Sequence, residues 1–177
     1  MRSRPLTIRV RAIVQPTPET LAVIKRTKLR DASYFVLPGG GVEPSDASLP
    51  DALQRELWEE LGLDATVVSS RPVLRLDDSW FGIQIIYLVR LSQAFNGTEM
   101  PCGPEFSDPG RGSYEHCICA LAELESLDLK PRQVRSLLLD CYRFYGSIEV
   151  LHHVEPSCIP DPAVKRHSGP ETSTPRI

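Results

Sequence analysis

The sequence predicts a mixed α/β or α+β domain, and two observations carry that reading. Short runs with the two-residue period of half-buried strands recur through most of the chain. Two longer segments, closed by Gly62 and Gly146, carry an apolar stripe at helical spacing together with terminal signals. Strands interleaved with two well-marked helices pack as layers around a shared core.

The elements follow in order. Leu6, Ile8, Val10, Ala12 and Val14 alternate with mostly polar residues, as in a half-buried strand. "PTPET" is a turn, "TLAVIKR" a second strand and "RTKLRDAS" a loop. "YFVLP" is a short strand stopped by Pro38 and three glycines. The first helix then starts at Ser48, an N-cap with Asp51 three residues on. Pro50 falls in the first turn, where proline is tolerated, and Gly62 is the C-cap. "ATVVSS" and "PVLRL" read as strands, "DDSW" as a turn and "FGIQIIYLVRL" as the longest strand. Residues 93–111 form a long polar loop, of the length that is often functional. "SYEHCICAL" is a last core strand, with Cys117 and Cys119 on one face and packed in the core. "KPRQVRSLLLDCYRFYG" is an amphipathic helix with Val134, Leu137, Leu138 and Cys141 on its buried face. The sequence thus divides into a domain over residues 1–154 and a Pro-, Ser- and Thr-rich tail over 155–177, expected to be disordered.

Composition narrows the function. The chain has 177 residues, 41% of them apolar, enough for one domain with a sizeable core. A net charge of −3 argues against a dedicated nucleic-acid binder. No apolar run reaches the length of a membrane span, and the basic start lacks the apolar segment of a secretory signal. Five cysteines, with no CxxC pair, read as reduced thiols, so a cytoplasmic setting is expected.

The first helix carries the chemistry. At about 100° per residue, Glu59 lies roughly 60° to one side of Glu56 and Glu60 roughly 40° to the other. Three carboxylates on one arc repel at about 0.2–0.5 kcal/mol per pair in a bare helix. They are either a solvated acidic face or a site for a hard divalent cation such as Mg²⁺, which prefers oxygen ligands and bridges to phosphates. Directly before the helix stand Gly39, Gly40 and Gly41, where backbone can approach a ligand closely.

The stretch "RELWEELGL", Arg55 to Leu63, resembles the second half of the Nudix hydrolase signature at every fixed position. "LPGGGVEP" is similar to the usual approach to that box, and the order of elements resembles the family's α/β/α sandwich with a mixed central sheet over residues 5 to 148. One departure stands in the first half. Gly40 is followed by "GVEPS" and then Asp46, where the family has Glu, and eight residues instead of seven separate Asp46 from Arg55. The helix register is unaffected.

The resemblance implies a Mg²⁺-dependent pyrophosphohydrolase, with Mn²⁺ as a substitute, that cleaves a nucleoside diphosphate linked to X into nucleoside monophosphate and phospho-X. Glu59 and Glu60 resemble the core metal ligands, and Glu56 the third ligand or the base. Arg55 would hold a glutamate in place, and Gly39, Gly40 and Gly41 would admit the substrate. A downstream carboxylate often completes the metal site; Glu115 is the first candidate and Glu105 the second. Trp80 would stack on a base or pack on the sheet, and Arg75 and Gln84 are pocket candidates by position alone. His152 and His153 read as structural. The implied partner is a small diphosphate, with a homodimer left open and no nucleic acid or membrane. Two other readings stand beside this one: a Nudix-fold module that senses a nucleotide without cleaving it, and a hydrolase of a non-nucleotide diphosphate.

Overall fold

The computed structural model describes residues 7–27, 32–67, 72–78, 82–91, 93–95, 97 and 112–152. Trp80, Glu105, His153 and the tail at 155–177 lie outside the described residues.

Eight strands form two mixed four-stranded sheets. In the first, β1 (Ile8–Val14) runs parallel to β6 (Gly82–Leu91). The far edge of β6 pairs antiparallel with β5 (Leu74–Asp78) and with β4 (Ala65–Val67). In the second, β2 (Thr20–Thr27) lies between β7 (Ser113–Ala120) and β3 (Tyr34–Val36), antiparallel to both. The two-residue β8 (Leu129–Lys130) closes that sheet parallel to β3.

The helices follow their local signals. α1 (Leu49–Leu61) begins where the Ser48 hydroxyl oxygen accepts from the amide of Asp51 at 3.2 Å, and ends with the Gly62 amide donating to the Trp58 carbonyl at 2.9 Å. α2 (Arg132–Tyr145) buries Val134, Leu137, Leu138 and Cys141, the face its periodicity predicts. Each fully buried leucine contributes about 1.5–3 kcal/mol.

Alternation along β1 sorts its side chains into two cores. Val10, Ala12 and Val14 pack with Leu53, Leu57 and Leu61 of α1. Ile13 points the other way and joins Val23, Ile86, Leu88 and the buried face of α2. A parallel strand covered on both faces is normal in layered α/β folds. Arg9 and Arg11 share the face of Ile13, which has consequences for the site.

Three differences from the sequence reading have physical causes. The mixed α/β architecture is the one expected, but its strands divide between two mixed sheets, because pairing is decided by distant partners. Asp77 and Asp78, read as a turn, belong to β5, since the β5–β6 ladder continues to the pair Asp78–Gly82. The strand from Tyr34 ends at Val36 and not at Pro38, because the chain then leaves β2 and runs beside β1. Among the described cysteines, Cys119 and Cys141 are buried and Cys117 is half-buried, all three free. Burial pushes the Cys119 thiol up to about 11, which keeps it protonated. No helix among the described residues is long and apolar enough to cross a membrane.

Candidate functional site

The glycine turn is fastened to β1 along its length. The amides of Val10 and Ala12 donate to the carbonyls of Gly40 and Pro38, both at 2.9 Å, and the Val42 amide donates to Ile8 at 3.1 Å. Gly39 has φ of +121°, and a Cβ there would fall 2.3 Å from the Val10 carbonyl oxygen. Only glycine fits so close a backbone approach at that angle. The turn is anchored from the helix side as well, since the Gly39 amide donates to Glu60 Oε2 at 2.5 Å. From β1, the Arg11 guanidinium donates to the carbonyls of Leu37, at 3.0 Å, and Gly39. Arg11 is fully enclosed, and burial lowers its pKa against the pull of Glu60.

Gly40 serves a different purpose. A Cβ at this position would lie 2.1 Å from Glu56 Oε2, so the missing side chain is what lets the Glu56 carboxylate sit against the turn. Glu56 and Glu60 are both buried, 8% and 6% exposed, on a helix whose other buried residues are apolar. Burial raises the pKa of Glu56, against the hydrogen bond from Arg55.

Arg55 is the hub of the acidic group. Its Nε and Nη2 grip both oxygens of Asp46 at 3.0 and 3.1 Å, a bidentate fork. Nη2 also donates to the Gly41 carbonyl at 2.9 Å. Nη1 donates to Glu56 Oε1 at 3.0 Å and to Glu59 Oε2 at 3.3 Å. The Arg55 fork holds the Asp46 carboxyl below its ordinary range, helped by the Glu43 amide at 2.7 Å, and Asp46 in turn holds Arg55 above its own. The displaced acidic residue of the box therefore has a place: it orients the arginine that spaces two glutamates.

Glu56, Glu60 and the glycine turn border a cavity of about 280 Å³. Arg9, Arg11, Arg26 and Tyr114 line it as well, with Arg11 bonded directly to the turn. Glu59 is outside its lining, one-third exposed and linked to it through Arg55. The donor chemistry of Glu56, Glu59 and Glu60, hard carboxylate oxygens on one helix, is the kind that suits Mg²⁺. Among the described residues, however, no three acidic, histidine or cysteine side chains are grouped as a ready metal cage. Glu56 and Glu59 are drawn to Arg55, and Glu60 to the Gly39 amide.

The structure does not bring Glu115 to this cavity. It stands opposite Lys25 in the β2–β7 ladder and pairs with it at 3.3 Å, on the strand face of Cys117 and Cys119. Its neighbour Tyr114 points the other way, into the cavity. Arg75 is exposed and pairs with Asp77 at 3.5 Å. Gln84 is buried beside Arg9. Sequence reasoning missed Arg9, Arg11 and Arg26. The signal was present as arginines at alternate positions of β1, but they read as its solvent face.

Buried glutamates and arginines thus line one cavity beside a glycine turn. The sequence matches the NUDIX domain over residues 5–138, and the chain belongs to the Nudix family of diphosphate hydrolases. No curated protein matches it. Solved structures do. The E. coli ORF135 protein is 25% identical, with a TM-score of 0.52 over 78% of this chain and 91% of that one. A NUDIX hydrolase from Nitrosomonas europaea is 14% identical, with a TM-score of 0.57 over 78% and 88%. An ADP-ribose pyrophosphatase from Streptococcus suis is 20% identical, with a TM-score of 0.52 over 77% and 92%. At 14% and 20% identity the likeness is one of fold.

Proposed function

We propose that the protein is a Mg²⁺-dependent pyrophosphohydrolase that converts a nucleoside diphosphate linked to X into nucleoside monophosphate and phospho-X. The observation that carries this is the cavity that Glu56 and Glu60 line together with three arginines. Carboxylates alone would repel a pyrophosphate and arginines alone would bind it without cleaving it. Glu56, Glu59 and Glu60 would hold Mg²⁺, or Mn²⁺ in its place. Bound there, the cation supplies charge neutralisation and alignment of the phosphates.

The chain's own residues do the rest. Arg55 is a positioning residue that fixes Glu56 and Glu59, and Asp46 fixes Arg55. Glu56, made more basic by burial, accepts a proton from the attacking water if it does not serve as a ligand. Gly40 leaves the space in which the Glu56 carboxylate sits. The free thiols agree with a cytoplasmic setting.

The test is a panel of nucleoside triphosphates, nucleotide sugars, dinucleoside polyphosphates and ADP-ribose, the last because the Streptococcus suis relative in fold carries that name. Metal-dependent release of a monophosphate, lost in Glu59→Gln, is the expected result. No turnover with either Mg²⁺ or Mn²⁺ would overturn the nucleotide-hydrolase reading, and binding without cleavage would replace it with a sensor.

A further inference from the structure

Two of the cavity's arginines have donors with nothing to bind. Nε of Arg9 and Nε of Arg26 are buried and have no hydrogen-bond partner among the described residues. Neither arginine forms an ion pair among those residues. The same holds for the amide nitrogen Nε2 of Gln84, a side chain only 2% exposed. Arg9 and Gln84 are direct partners in the parallel β1–β6 ladder, so both leave the sheet on one face. A buried donor left unsatisfied costs about 1–3 kcal/mol, more when it is charged. Three in one region, two of them cationic, mark a place shaped for an anion.

The stacking of Arg26 sharpens this. Its guanidinium lies over the Tyr114 ring, 4.0 Å from the centroid. A guanidinium held over a ring still has its in-plane N–H donors for hydrogen bonds to an oxyanion. Arg26 also occupies one face of Tyr114, the only aromatic ring among the described cavity residues. A wall of cationic donors whose one aromatic ring already holds a cation suits a group of high charge.

We propose that Arg9 and Arg26, supported by Gln84, form a clamp for a terminal phosphate. The preferred substrates then end in a free phosphoryl group, as nucleoside triphosphates do, over diphosphates capped at both ends, such as ADP-ribose. The kinetic side of this inference rests on the hydrolase reading; the binding side does not.

The experiment has two arms on the full chain. In the first, inorganic triphosphate is titrated calorimetrically into the protein in EDTA, for wild type, Arg9→Met and Arg26→Met. Each substitution is expected to weaken binding about ten- to a hundredfold, the scale of a lost charge-assisted hydrogen-bond pair. In the second arm, kcat/KM is measured for a nucleoside triphosphate and for ADP-ribose. The triphosphate value is expected to fall at least tenfold further than the ADP-ribose value. If the Met variants do not fold, Arg9→Lys and Arg26→Lys keep the charge but lose the fork, and a smaller loss in the same direction is expected. Unchanged triphosphate affinity overturns the clamp, whatever the enzyme hydrolyses. Equal losses on both substrates overturn it as well, since the arginines would then serve the diphosphate common to both. Triphosphate binding without turnover of any substrate would leave the clamp standing and remove the hydrolase reading.

Discussion

The two helices are built by one set of rules and put to opposite uses. Both end at a glycine whose amide bonds back into the last turn, and both lay one face against a sheet. α2 buries Val134, Leu137, Leu138 and Cys141, all apolar. α1 buries Leu53, Leu57 and Leu61 but sets Glu56 and Glu60 in the same face. Burying a carboxylate is unfavourable unless hydrogen bonds offset it, and here they come from Arg55 and the glycine turn. The contrast teaches that α2 is arranged for stability, whereas α1 gives up stability to hold charge where a substrate arrives.

The contrast can be broken at its strongest point first. Glu56→Gln should lower activity about a thousandfold, as expected if several kcal/mol of transition-state stabilisation is lost, yet leave the unfolding midpoint of the EDTA-treated protein no lower than wild type. A large loss of stability in that variant would put Glu56 on the structural side of the comparison. Leu138→Ala should do the reverse: about 2–5 kcal/mol off the stability in urea, with specific activity of the folded fraction retained. Gly39→Ala should cost about 2–3 kcal/mol, from the positive φ and the clash with Val10, whereas Gly41→Ala, with nothing within 4 Å of a Cβ, should stay within about 0.5 kcal/mol. Thermal melts of the two would measure how tightly the turn is held.

The smallest effect is the dependence on pH at Asp46. Folding depresses its pKa through the Arg55 fork, so the unfolded chain binds the proton more tightly. The stabilisation is therefore present above the unfolded value of about 3.9 and is lost as pH falls through the lower folded one. Wild type should unfold at a higher midpoint than Asp46→Asn near neutrality, and the gap should close in acid below about pH 4. A gap that widens in acid would remove the ion pair from the account.

Local signals were legible in the sequence and distant ones were not. The caps of α1 and the register of its glutamates depend on residues a few positions apart, and Ser48, Gly62 and the carboxylate arc lie where the spacing puts them. β8 has only two residues and exists because β3 lies beside it, so no periodicity could reveal it. The arginines were misread for a related reason. On β1 the even positions are apolar, which makes the odd ones look solvated; only the arrangement of the second sheet turns that face into a cavity wall. Glu115 is a different case, since strand alternation already puts it on the face of Cys117 and Cys119, and the fold keeps it there. The role of Asp46 depended on a loop with one extra residue, whose path spacing cannot supply.

The stitching of the glycine turn to β1 has a consequence in time. The amides of Val10, Ala12 and Val42 are all shared between strand and turn, and β1 is paired with β6 along its other edge. For the turn to open, β1, the edge strand of its sheet, must give up every backbone partner on its outer side. Hydrogen exchange at Val10 and Ala12 should therefore be as slow as global unfolding allows, and the glycine turn should breathe only when the whole domain does. On warming, catalysis and tertiary structure should disappear together, with no intermediate temperature at which a folded protein has a loosened site.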